Sequence, residues 1–160
     1  METSFSRVQT LRDARGPGSS SQWTAVTIQV LGLIGLGLHV YFTYGLLKAS
    51  QNPVVVNISS ALGSFWANHE PSRPASKVSA IVYGASKAAV SMLTVQYARA
   101  VPEVKFNAVE PGYTATELGG VQNSGGRPVE VSARNIVRMA TIGKDGPTGT
   151  FQEDDGELRW

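Results

Sequence analysis

The chain has 160 residues, 42% hydrophobic and 16% charged, with a net charge of +2. That is the composition of a single globular domain around one core, and it excludes a disordered chain. The basic residues are scattered, without the clustered face a phosphate backbone requires, so nucleic acid is excluded as a partner. Cysteine is absent, which removes disulfides, thiolate metal sites and thiol nucleophiles. His39 and His69 stand alone, without the further ligands of a zinc site, and no metal is expected.

In chain order, residues 1–22 join Arg7, Arg12, Asp13 and Arg15 to a Gly-Pro-Gly-Ser-Ser-Ser-Gln run, and are predicted to be a disordered tail. Between Arg15 and Lys48 no Asp, Glu, Lys or Arg occurs. Residues 23–49 therefore read as a long apolar helix, and its part from Trp23 to Leu47 is long enough to span a bilayer. Such a helix lies in lipid or is covered by protein as a core or dimer helix, and periodicity does not separate the two.

The remainder, residues 50–160, alternates strand and helix. Pro53 to Ser59 is a β-branched run suited to a strand buried on both faces. Residues 61–79 read as a long loop, either a substrate-side lid, a mobile loop or a surface insertion. Ala80 to Ala100 reads as a helix stopped by Pro102, and Val104 to Glu110 as a strand stopped by Pro111 and Gly112. Pro128 to Thr141 reads as a proline-opened helix, and Gly149 to Phe151 as a last strand. This order predicts an α/β domain with a doubly wound parallel sheet of about three strands and flanking helices.

Tyr83 and Lys87 are four apart at the start of the long helix, so they share a face. A free tyrosine, with a pKa of about 10, is a poor base at neutral pH. An adjacent ammonium favours the phenolate and would let Tyr83 exchange a proton with an alcohol or carbonyl oxygen. A serine at the end of the neighbouring strand could orient that oxygen, and Ser59 and Ser60 are both placed for it. A Tyr-x-x-x-Lys pair alone is a common surface contact.

The pair gains meaning from its neighbours. Asn57-Ile58-Ser59-Ser60, then Tyr83-Gly84-Ala85-Ser86-Lys87, then Asn107-Ala108-Val109-Glu110-Pro111-Gly112-Tyr113-Thr114-Ala115-Thr116, in this order, resemble the short-chain dehydrogenase/reductase family over about residues 45–160. The resemblance implies the catalytic half of a Rossmann-like domain. It implies Ser60 as the substrate-orienting serine, Tyr83 as general acid/base, and Lys87 as the residue that lowers its pKa and holds the nicotinamide ribose. Pro111, Gly112, Thr114 and Thr116 match the turn that closes over the nicotinamide and pyrophosphate. The cofactor implied is NAD or NADP, and the substrate a small carbonyl or alcohol.

Upstream of Asn57 the family pattern calls for a first strand, a Gly-rich phosphate turn, an adenosine-reading residue and an Asn-Ala-Gly block. The nearest imitation is Gly32, Gly35 and Gly37, whose spacing is one residue short of the family's, with only 15 residues between Gly37 and Pro53. The asparagine of the family's proton relay would fall near Gln29-Val30-Leu31-Gly32 and is absent. Poor cofactor affinity is the expectation.

Three readings stand side by side. The first is a cytoplasmic NAD(P)-dependent oxidoreductase, a homo-oligomer through the helices at 23–49 and 80–100. The second is a truncated, inactive remnant of the family. The third is a membrane-anchored interaction protein with a span at 23–47.

Overall fold

The computed structural model describes residue 35, residues 37–116 and residues 125–160. The predicted tail at 1–22 and the first part of the apolar helix, 23–34 with Leu36, lie outside the described residues. So do residues 117–124. The described remainder of that helix, α1, runs over 37–49. Its buried contact is narrow: Val40 is 4% exposed and packs with Val104 and Phe106, while Tyr41, Phe42 and Leu46 are each about three-quarters exposed. Among the described residues no helix is long and apolar enough to cross a membrane. The described residues thus do not support the long apolar helix of the sequence reading: over 37–49, Val40 and Leu47 seat on the core while Tyr41, Phe42 and Leu46 stay uncovered.

Strand β1 (Val54–Ile58) and strand β2 (Lys105–Val109) pair in parallel, with Val54 opposite Lys105 and Ile58 opposite Val109. Strand β3 (Phe151–Glu153) adds in parallel to β2. A two-residue strand, β4 (Gly156–Glu157), which the sequence did not suggest, turns back antiparallel on β3. The centre of the sheet is β2, where Phe106, Asn107, Ala108 and Val109 are fully buried. Strand β1 has only β2 as a partner among the described residues, so it is half-buried and Ile58 is exposed, unlike the doubly covered strand expected.

The expected loop at 61–79 is folded. It contains a 3-10 turn (Ala61–Gly63), a short helix α2 (Phe65–His69) and a second 3-10 turn (Pro74–Lys77). Ser64 caps α2 by accepting from the Ala67 amide. The chain terminus pins the segment: the Ser64 hydroxyl donates to the Arg159 carbonyl at 2.6 Å, the Trp66 amide donates to the Trp160 carbonyl, and Arg73 pairs with Glu153. Ala67, Ala75, Ala108, Phe151 and Leu158 form the core beneath it. The lid or mobile loop of the sequence reading is thus replaced by a segment anchored to the β3–β4 hairpin. Its Ala, Ser and Trp side chains find partners that are about ninety residues away in sequence.

Helix α3 (Ile81–Ala100) crosses between β1 and β2. Small polar side chains fix it on β1: the Asn57 amide donates to Thr94 Oγ1 at 2.8 Å, and the Ser59 and Ser91 hydroxyls meet at 2.9 Å. All four residues are buried, so each bond satisfies groups that would otherwise be costly to desolvate. Further along α3, Tyr97 stacks on Phe106 with ring centroids 5.4 Å apart. Helix α4 (Val129–Ala140), opened by Pro128, packs on β1 and β2, and its buried Asn135 donates to the Gln152 carbonyl of β3 at 3.1 Å.

Candidate active site

The carboxyl ends of β1 and β2 lie side by side, because Ile58 is opposite Val109. Ligands in open α/β sheets bind beyond such ends. The Ser59 amide donates to the Val109 carbonyl at 2.9 Å, which continues the pairing one residue past the strand and places Ser60 at the sheet edge. The turn from Ser60 to Gly63 then lies directly on the first turns of α3. A Cβ on Gly63 would sit 2.5 Å from the Lys87 backbone carbon, so only glycine permits this approach.

This contact brings Ser60, Tyr83 and Lys87 together. The Ser60 side chain lies near the Tyr83 hydroxyl and acts to lower its pKa, while its oxygen accepts from the Leu62 amide at 3.3 Å. The Lys87 ammonium stands 5.6 Å from the centre of the Tyr83 ring and donates to the Ile58 carbonyl at 2.8 Å. Ser59 is not part of the cleft: it is buried, with its hydroxyl on Ser91 and on the Lys87 carbonyl. Burial raises the Tyr83 pKa above its ordinary 10.0, the Ser60 side chain pulls it down and the Glu110 charge adds to the rise. Burial likewise lowers the Lys87 pKa, with Glu110 opposing. The lowering of the phenol expected from Lys87 is not seen: desolvation of the phenolate dominates, and the opposing pull comes from Ser60.

Pro111 and Gly112 follow β2 directly. Gly112 has φ of +73°, a conformation that favours glycine, and the Arg127 guanidinium fills the space where a Cβ would stand. Thr114 turns its hydroxyl to the Gly112 carbonyl at 2.9 Å and to the Ser132 hydroxyl at 2.6 Å, so it braces the turn against α4. Thr116 is exposed just beyond.

Two residues given no role from sequence belong to this region. Glu110 accepts from the Ala61 amide with Oε2 and from the Gly112 amide with Oε1 at 2.6 Å. Arg127 donates to the Pro111 carbonyl and pairs with Asp154, and its own backbone bridges to Thr114. Glu110 stands inside a quoted motif, whereas nothing local in Gly125-Gly126-Arg127-Pro128 signals a contact to Pro111. A cavity of about 320 Å³ adjoins this region, lined by Leu62, Phe65, Asn68, Val78, Ile81 and Ala85, but neither Tyr83 nor Lys87 lines it. Among the described residues no cluster of His, Asp and Glu could hold a metal ion.

The residues present fit the nicotinamide-ribose end of a dinucleotide. Lys87 uses one of its three N–H donors on Ile58 and is partly exposed, and the Pro-Gly turn lies across the sheet edge from it. The phosphate end is different. Gly35 and Gly37 are helical, so they make no phosphate-binding turn, and the described residues supply no other Gly-rich turn after a strand.

A partly parallel α/β sheet with a Ser, Tyr and Lys constellation at its carboxyl edge defines a dehydrogenase-like Rossmann class. The family model for short chain dehydrogenases matches residues 33–125, and the chain belongs to that family. The short-chain dehydrogenase/reductase ATR10 of Stachybotrys chlorohalonatus is 37% identical over 119 residues, covering 69% of this chain and 42% of that protein. The (+)-neomenthol dehydrogenase of Capsicum annuum is 27% identical over 139 residues, covering 66% and 44%. Among solved structures, the NADPH-bound carbonyl reductase from chicken fatty liver superimposes with a TM-score of 0.54 at 25% identity, over 67% of this chain and 42% of that one. The carbonyl reductase Sniffer of D. melanogaster shares the fold, with a TM-score of 0.63 at 19% identity over 91% and 59%. The chain thus spans less than half the length of the curated relatives it matches.

Proposed function

We propose that the chain carries the catalytic part of an NAD(P)-dependent oxidoreductase that interconverts a carbonyl and an alcohol. The observation that carries this reading is the Lys87 ammonium 5.6 Å from the centre of the Tyr83 ring, with the Ser60 turn packed directly on the same part of the helix. In carbonyl reduction Ser60 donates to the substrate oxygen and holds it against the Tyr83 hydroxyl. Tyr83 then gives that oxygen its proton. Lys87 supplies positive charge next to the phenolate left behind and a donor for the cofactor ribose. NADH or NADPH, when bound, supplies the hydride to the carbonyl carbon and leaves as NAD or NADP. Pro111, Gly112, Thr114 and Thr116 form the turn facing the nicotinamide and pyrophosphate. This chemistry suits a cytoplasmic setting, where the reduced cofactor is available.

The relatives favour the same class, since one is a carbonyl reductase with NADPH bound and another a menthol-type dehydrogenase. The uncovered apolar side chains of α1 (Tyr41, Phe42, Leu46) and α3 (Ile81, Val82, Met92) support assembly into a homo-oligomer through these two helices. The test is a titration of the purified chain with NADPH and NADH, followed by turnover of a panel of aldehydes and ketones. Saturable binding with turnover that depends on Tyr83 is expected. A chain that binds neither cofactor and reduces no carbonyl would refute the reading.

A further inference from the structure

Glu110 ends β2 with its carboxylate between the two turns of the site. One oxygen takes the N–H of Ala61, the residue after Ser60, and the other takes the N–H of Gly112. A single side chain therefore links the turn that carries the substrate-orienting serine to the turn that faces the cofactor. Its charge also falls on the reacting groups, raising the pKa of both Tyr83 and Lys87. Around it stand Tyr83 and Lys87 on α3 and Arg73 on the connecting segment, whose pKa Glu110 also raises. Arg73 is engaged bidentately by Glu153, and Arg127 bonds to the carbonyl of the next residue, Pro111. Neither guanidinium has Glu110 as its hydrogen-bonded ion-pair partner.

We propose that Glu110 is a positioning residue: its carboxylate fixes the distance between the Ser60 turn and the Pro111–Gly112 turn, and it sets a fixed negative charge at the edge of the cleft that holds Tyr83 and Lys87. The proposal rests on the carbonyl-reducing reading above and extends it. A phenol held protonated beside the substrate oxygen is prepared to give a proton, as reduction requires. A carboxylate near it opposes the phenolate. Glutamine at this position would accept only one of the two N–H groups and turn an amide donor toward the other.

The first test uses the unaltered chain. The amide proton shifts of Ala61 and Gly112, followed by NMR as pH falls, should move together with one midpoint, because both report protonation of the same carboxylate. Independent midpoints, or no movement in either, would overturn the link. The second test follows the Tyr ζ-carbon resonances, with Tyr83→Phe identifying the Tyr83 signal. In Glu110→Gln its titration midpoint should move to lower pH, and in Glu110→Asp, which keeps the charge, it should stay near the unaltered value. A folded Glu110→Gln chain whose Tyr83 midpoint is unchanged or raised would overturn the electrostatic role. If Glu110→Gln does not fold, the amide titration alone decides the link. Where turnover is measurable, kcat/KM for reduction should fall about tenfold in Glu110→Gln, the loss expected when reacting groups are misplaced. The NMR readouts need no turnover, so an inactive chain and a wrong assignment of Glu110 are told apart.

Discussion

The Lys87 ammonium donates a 2.8 Å hydrogen bond to the Ile58 carbonyl, the last carbonyl of β1 before the Ser59–Ser60 turn. The bond holds the charge beside the Tyr83 ring, and among the described residues no carboxylate pairs with it. Lys87 is therefore placed to act on the phenolate as it forms. Lys87→Met keeps most of the apolar stem and removes the charge. It should lower kcat/KM for reduction about a hundredfold and weaken cofactor binding, measured by steady-state kinetics and fluorescence titration.

Tyr83→Phe leaves the ring and its packing in place and removes the exchangeable proton. Reduction should fall by about 10³-fold, within the range for loss of a general acid. Ser60→Ala should cost less, about 10²-fold, since it removes one donor to the substrate oxygen. Undiminished turnover in Tyr83→Phe would assign the activity to other groups.

The pH dependence follows from the direction of the Tyr83 shift. Burial raises its pKa above 10.0, and reduction requires the protonated phenol. The rate of reduction should stay level through the neutral range and decline at alkaline pH, as Lys87, whose pKa burial lowers, loses its charge and Tyr83, whose pKa burial raises, loses its proton. Alcohol oxidation, which needs the phenolate, should rise over the same interval. A decline of reduction centred near neutral pH would show that the shift has the opposite sign in the working enzyme.

Gly63→Ala tests the approach of the Ser60 turn to α3. The added methyl would meet the Lys87 backbone at 2.5 Å, and backbone cannot move aside as a flexible side chain can. Stability should fall by about 1–3 kcal/mol, the usual cost of overpacking. Reduction should fall with it, because Ser60 is displaced from Tyr83. Denaturant unfolding and kinetics on the same variant would check both.

The sequence by itself determined the order of the main elements and the pairing of Tyr83 with Lys87. The β-branched run at 53–59, the Ala-rich stretch at 80–100 closed by Pro102, and the Pro-Gly stop after Glu110 are local signals, set by torsional preference and by the lost N–H of proline. The four-residue spacing of Tyr83 and Lys87 fixes their shared face within one helix. The tertiary structure decided what depends on distant partners. The segment at 61–79 reads as loop because its own residues bury little. It folds because the Arg159 and Trp160 carbonyls and Glu153 complete its hydrogen bonds and ion pair. Of the two adjacent serines, Ser91 draws Ser59 into the helix–sheet contact, and Ser60 is left on the turn near Tyr83. The sign of the Tyr83 shift and the two hydrogen bonds accepted by Glu110 are likewise legible only in three dimensions, since desolvation and charge act through space between elements that the chain keeps apart.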